Sequence, residues 1–355
     1  MTLYPGFSTA RMDEMFALSS RVSAMCAVEA AVATAQGVAG DIPTDAAAAI
    51  ADACSEPGGV EILAEGWQVG TPVLGLLDAL RARLPESARE HLHHGLTTQD
   101  VVDTATVLLM RDALQHLAEL ARGAATSMHE IIRQFGSIAT QARSFLQPAD
   151  VTTVGFRTAR WLDQLNDVSL RPVSIPAQLG GLIGDRMGIS DEVASAVASR
   201  LGLDDRRPWH TNRAPIIGVV NIAADYARWA DKVGCDIAQL VQLGEITTRA
   251  GGSSAAAGKR NPIDAMRATA AAEVCLGVST VVTHAKPHEL ERGLGSWHAE
   301  WFAVPLVFQT AGAAMEAIGA SLASLDVEPS ALVVADDRRA AADAYVISVL
   351  GRSSS

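Results

Sequence analysis

The sequence predicts an all-α protein built on unusually long helices. Two observations carry that reading. Residues with hydrophobic side chains make up 49% of the 355, aromatics are only 5%, and β-branched alternation is nearly absent. Two proline-free stretches also repeat apolar residues at helical spacing for more than about 20 residues, longer than the usual globular helix. The first carries Val107, Met110, Leu114, Leu117, Ala121, Ala124 and Met128. The second carries Ile222, Tyr226, Ala230, Val233, Ile237 and Leu240.

Taken in chain order, a helical N-terminal domain is expected over 1–94, a long-helix bundle over 95–325 and a short C-terminal helical remnant over 326–355. Small residues on several faces of the long helices imply burial on more than one side, as at the centre of a bundle or an oligomer. Gly180-Gly181-Leu182-Ile183-Gly184 reads as a loop. So does Arg207-Pro208-Trp209-His210-Thr211-Asn212-Arg213, which precedes the second long helix. Phe302 to Leu325 is the most membrane-like run, but Pro305, Gln309 and Glu316 interrupt it, so it reads as a buried core helix and no membrane span is expected. Ser353 to Ser355 is the one low-complexity stretch.

The formal net charge of −12 argues against a broad nucleic-acid footprint. An acidic chain that binds a small anion must cluster its cations locally, which draws attention to Arg249, Lys259 and Arg260. Cys26, Cys54, Cys235 and Cys275 are far apart and show no metal-ligand spacing. A reducing, cytoplasmic setting fits them. Met1 to Met15 has no apolar signal core.

Three polar islands interrupt the helical pattern. The first is His93-His94-Gly95-Leu96-Thr97-Thr98-Gln99-Asp100. A threonine cap with Asp100 in the first turn accounts for part of it. His94, Thr97, Thr98 and Gln99 together also suit an anion at a helix N-terminus. The second is Arg143-Ser144-Phe145-Leu146-Gln147-Pro148-Ala149, a helix-to-helix turn ended by Pro148 or a group of ligand donors. The third is Gly251 to Pro262, where Ser253, Lys259 and Asn261 follow a glycine pair. Glycine lets the backbone approach a ligand, and hydroxyl, amide and ammonium donors on one loop suit holding an anion and moving a proton. His210, His284, His288 and His298 are individually weak signals and match no metal motif.

Together the islands resemble the three signature regions of the fumarase/aspartase superfamily. Gly252-Ser253-Ser254 through Lys259-Arg260-Asn261-Pro262 is similar to its GSSxMPxKxNP loop, with Ala256-Ala257 in place of Met-Pro. Pro208-Trp209-His210-Thr211 and Glu291-Arg292-Gly293-Leu294-Gly295-Ser296-Trp297-His298-Ala299-Glu300-Trp301 are similar to its 3-carboxy-cis,cis-muconate cycloisomerase family. The resemblance implies a homotetramer in which each active site draws the three regions from three subunits. It implies no cofactor and a small anionic tricarboxylate substrate. By residue-by-residue carry-over Ser253 and Lys259 are the catalytic candidates. His94, Thr97, Thr98, Gln99, Arg143, Ser144, Gln147, His210 and Asn261 are the substrate-binding candidates. Many superfamily members carry a histidine where this chain has Phe145, and cycloisomerase relatives can carry one at the position of Pro148. That acid/base is not carried over, which leaves Ser253, His94 and His210 as alternative proton donors. The implied reaction is lactone closure in protocatechuate (β-ketoadipate) degradation. Adenylosuccinate lyase-like β-elimination and a non-catalytic oligomer of the same fold are the competing readings.

Overall fold

The structure is a computed structural model that describes residues 5–56, 70–256, 258–285 and 288–353. Ala257, within the third island, lies outside the described residues, as do Met1 to Tyr4 of the N-terminal stretch expected to lack a signal core and Ser354 and Ser355 of the serine tail. The expected helical class holds, with two small two-stranded sheets added.

The N-terminal helices are α1 (Ala10–Met15), α2 (Leu18–Ala39), α3 (Thr44–Ser55), α4 (Pro72–Arg83) and α5 (Glu86–Arg89). The first long helix, α6, runs Thr98–Phe135. Thr97 caps it: its side chain takes the amide of Asp100, and Asp100 reaches back to the amide of Thr97. Next come β1 (Ala139–Ser144), β2 (Gln147–Thr153), α7 (Val154–Ser169) and α8 (Asp191–Leu201). The second long helix, α9 (Ala214–Gln242), begins with Pro215 in its first turn, where the missing N–H costs nothing. The chain ends with β3 (Ile246–Thr247), α10 (Ile263–Thr283), α11 (Ser296–Ala323), β4 (Asp326–Val327) and α12 (Asp336–Ser353).

One continuous apolar core runs from Met12 to Val349. Alanine sets the helix spacing: Ala265, Ala268, Ala271 and Ala272 of α10 are fully enclosed, which lets neighbouring backbones approach closely. Three helices, α2, α10 and α11, are long and apolar enough to cross a membrane by length and composition. Here they join the common core, and each carries a buried, paired carboxylate: Glu29, Asp264 and Glu300. Phe302 to Leu325 does form most of a core helix, as expected. Helix α10 leaves Met266, Val274 and Val281 partly in solvent.

The second island departs from the expected helix-to-helix turn. It is the tip of an antiparallel hairpin, β1 against β2, with a bulge between Ala142 and Arg143. Phe145 and Leu146 form the two-residue connection, both at positive φ (51° and 62°), the handedness that tight hairpins require. Pro148 sits opposite Arg143 at the bulge, where a missing ladder donor is tolerated. The β-branched run Val151-Thr152-Thr153 favours the strand.

The hairpin is anchored where Gly155 passes Gly136. The amide of Gly155 donates to Gly136 O at 3.0 Å, and a Cβ on Gly155 would lie 2.9 Å from that oxygen. Gly155→Val is therefore expected to destabilise the protein by about 1–3 kcal/mol, read as a lowered urea midpoint with unchanged helical circular dichroism in the folded baseline.

Candidate active site

The start of α6 is a polar centre built inward. Asp100 is fully buried and accepts from the amides of Gly180 (2.8 Å) and Gly181 (2.9 Å), Nε2 of Gln178 (3.1 Å) and the amide of Thr97 (3.0 Å). Nε2 of His210 lies 3.1 Å from it. One carboxylate thus fixes the glycine loop and the histidine ahead of α9 against the first signature region. Gln99 donates to Asp103 (3.0 Å) and to His210 O (2.8 Å). The Gln99 Oε1 and His210 Nδ1 atoms are buried with no hydrogen-bond partner. Arg292 adds a cation from the segment before α11, donating to Thr97 Oγ1 at 2.6 Å and to Leu182 O at 3.1 Å.

One turn along α6, Asp103 takes both Nη atoms of Arg213 (2.6 and 3.0 Å) and the indole N–H of Trp297 (2.9 Å). Arg213 also grips Glu300, with Nε to Oε1 at 3.1 Å. Burial alone would lower the Arg213 pKa; the two carboxylates overcome it and raise it above the ordinary arginine value. Asp100 is legible in the sequence as a helix cap; Asp103, Arg213 and Glu300 are not among the candidates the sequence offers. The one local signal is a pair of acids, Asp100 and Asp103, three apart on the buried face of α6.

His94, named from the sequence, is exposed, and its carbonyl accepts from Gln36. Its neighbour His93 makes the side-chain contact instead, with Nδ1 2.6 Å from the buried Glu29. Thr98 is half-buried beside the capped Thr97.

The second and third regions lie at the other end of the bundle. Arg143 pairs with Glu245, which also accepts from Thr140 (3.0 Å) and faces Arg157 (3.5 Å). Burial works to raise the Glu245 pKa, but Arg143, Thr140 and Arg157 outweigh it and hold it below the ordinary carboxylate value. Ser144 and Gln147 are exposed at the hairpin tip. In the third region, Gly251 and Asn261 exchange backbone hydrogen bonds (2.9 and 3.0 Å), and Asn261 Nδ2 donates to Gly252 O at 3.0 Å. The Asn261 amide therefore ties the neck of the loop. Ser253 Oγ accepts from the amide of Ala256 at 3.1 Å and, more weakly, from that of Ala255 at 3.4 Å. Arg249 is engaged with Asp264. Lys259 and Arg260 are exposed and make no ion pair among the described residues.

Helix length separates these groups within one chain. The 38 residues of α6 span about 57 Å and the 29 of α9 about 43 Å. Thr97, Thr98, Gln99, His210 and Arg292 stand at the N-terminal ends of both helices. Arg143, Ser144, Gln147, Ser253, Lys259 and Asn261 follow their C-terminal ends. A single protomer does not bring the three regions together.

The family model described as "Lyase" matches residues 4–277. The 3-carboxy-cis,cis-muconate cycloisomerase of Pseudomonas aeruginosa is 32% identical over 88% of this chain and 73% of its own length. The nitrosuccinate lyase of Streptomyces davaonensis is 31% identical over 86% of this chain and 70% of its own. Among solved structures, the 3-carboxy-cis,cis-muconate lactonizing enzyme of Pseudomonas putida superposes with a TM-score of 0.84 at 30% identity, over 91% of this chain and 76% of that one.

Two outcomes check the electrostatics. Asp103→Asn leaves Arg213 and Glu300 without their counterpart and is expected to cost about 3–5 kcal/mol in urea denaturation, whereas Lys259→Ala should stay within about 0.5 kcal/mol. Because the Glu245 pKa is depressed on folding, its stabilising contribution is present above the unfolded carboxyl pKa and is lost as pH falls through the folded value. Glu245→Gln should accordingly flatten the acid limb of the Tm-versus-pH profile and leave its neutral-to-alkaline slope unchanged.

Proposed function

This chain belongs to the lyase family of the fumarase/aspartase superfamily, and from that premise we propose that it is a cycloisomerase that closes 3-carboxy-cis,cis-muconate to 4-carboxymuconolactone. The observation that carries the chemistry is Ser253 Oγ, which accepts backbone N–H groups from Ala256 and Ala255 on the loop that also presents Lys259.

One carboxylate of the substrate is the nucleophile. It is already ionised near neutral pH and adds within its own molecule, so no base is needed to generate it. The C–O bond forms as the attacked diene's electrons move toward a carbon beside a second carboxylate, and that carbon then takes one proton. As free acids product and substrate are isomers; the ionised substrate takes up one proton net, which solvent then returns to the donor. Ser253 is the proposed donor. A serine hydroxyl is a weak acid in water, but two amides and the Lys259 ammonium stabilise the alkoxide it leaves. Lys259 also holds a substrate carboxylate. Thr97, Thr98 and His210 from one end of the bundle, with Arg143, Ser144 and Gln147 from the other, hold the remaining carboxylates, while Gln99, whose amide N–H groups are taken by Asp103 and His210 O, acts by positioning His210. Asn261 acts by closing the neck of the loop.

This arrangement requires more than one copy. The partly exposed apolar face of α10, with Met266, Val274 and Val281, supports a bundle shared between protomers. Antiparallel packing of such bundles brings the α6 N-terminus of one copy to the Ser253 loop of another. A homotetramer is the proposed assembly.

β-Elimination is the second reading, favoured by the nitrosuccinate lyase relative at nearly the same identity as the cycloisomerase. It requires a base for a carbon-bound proton as well as an acid.

Purified protein offered 3-carboxymuconate should remove the diene absorbance without added metal; turnover of nitrosuccinate or adenylosuccinate instead selects elimination. Ser253→Ala should reduce kcat at least about 100-fold, and a value within a few-fold of wild type removes this serine from proton transfer. Mixed oligomers of His210→Ala and Lys259→Ala chains should exceed both parents in activity; no recovery speaks against sites shared between copies.

A further inference from the structure

Pro305 lies inside α11 and has no N–H to offer the carbonyl of Trp301, four residues earlier. That carbonyl is met instead by Nη1 of Arg21 on α2, at 3.2 Å. No carboxylate stands within ion-pair distance of Arg21 among the described residues, and its remaining N–H groups have no protein acceptor there. Glu300 is near but is engaged with Arg213. Burial pulls the Arg21 pKa below the ordinary arginine value, as expected of a cation removed from water without a counter-charge.

Arg21 lines a cavity of ≈ 210 Å³ whose other walls are largely apolar, among them Phe16, Met25, Val102, Leu109 and Trp301. The volume is below the range of about 300–1,000 Å³ that holds drug-sized ligands, and so suits a single ring. Apolar and aromatic walls together with a guanidinium define an amphipathic occupant. A planar carboxylate matches the guanidinium fork.

We propose that this cavity, which none of the candidate site residues lines, binds a small aromatic monocarboxylate, with its carboxylate on Arg21 and its ring between Phe16 and Trp301. The site joins α2 to α6 and α11, the two helices that carry Asp103 and Glu300. It is independent of which reaction the signature regions perform, since none of their candidate residues lines it.

The test is calorimetric titration of the full-length protein with benzoate, and with benzamide as its neutral isostere. Benzoate should bind saturably with a Kd of about 1 mM or tighter and benzamide at least about ten-fold more weakly. Arg21→Met, which keeps the apolar volume, should abolish the preference for the acid. Ala105→Leu should block both probes by filling the cavity from α6, and it serves should Arg21→Met fail to fold. Lys259→Ala should leave benzoate binding unchanged. Absence of saturable binding overturns the proposal. So does benzoate binding that survives Ala105→Leu, or that Lys259→Ala removes, because the acid would then be held by the signature loop.

Discussion

A guanidinium held between two buried carboxylates sets the register of the bundle. Arg213 opens α9, Asp103 stands on α6 and Glu300 on α11, and all three side chains are almost fully enclosed. The helices around them are rich in alanine, which packs closely but offers little shape to distinguish one register from the next. An apolar seam of that kind tolerates sliding; a buried ion triad does not, because any shift strands a charge in a medium that cannot solvate it. The Trp297 indole and Gln99 complete the hydrogen bonding. The triad therefore gives up some stability that an all-apolar core could have supplied and fixes one alignment.

Asp100, a turn away, extends that order to the surface. It collects the glycine loop at residues 178–181 and the imidazole of His210 around the N-terminus of α6. The groups proposed to receive substrate there are held by backbone donors on a carboxylate and are not free side chains on a loop. At the far end the Glu245 carboxylate does the same for the hairpin, through Arg143, Arg157 and Thr140. Each half-site is organised around its own buried or half-buried acid, and the long helices act as rulers between them.

The relatives' names span ring closure and elimination at nearly equal identity. The architecture gives a physical reason for such breadth. Helix termini, amides, hydroxyls and an ammonium recognise carboxylates and stabilise charge that develops beside them, whichever bond is being made or broken. What separates the reactions is the placement of one proton donor or acceptor, and in this chain Phe145 stands 98% exposed at the hairpin tip, where many of the superfamily's members carry a histidine.

Read alone, the amino-acid sequence carried the helical class, the presence of the two long helices, the loop from Gly251 to Pro262, and the family. Those features rest on local periodicity, capping and punctuation, which neighbours in sequence decide. It misread the second island, because a two-residue turn with Phe145 and Leu146 at positive φ carries no Gly or Asn to announce it. It does not separate the environments of His93 and His94, since only the fold turns His93 onto Glu29 and leaves His94 exposed. The Asp103–Arg213–Glu300 triad was beyond its reach for the same reason: its members are 110 and 87 residues apart, and only tertiary packing makes them neighbours. The separation of the three signature regions to opposite ends of one protomer was likewise decided by the fold, because helices some tens of ångströms long hold apart in space what a motif search counts as a single site.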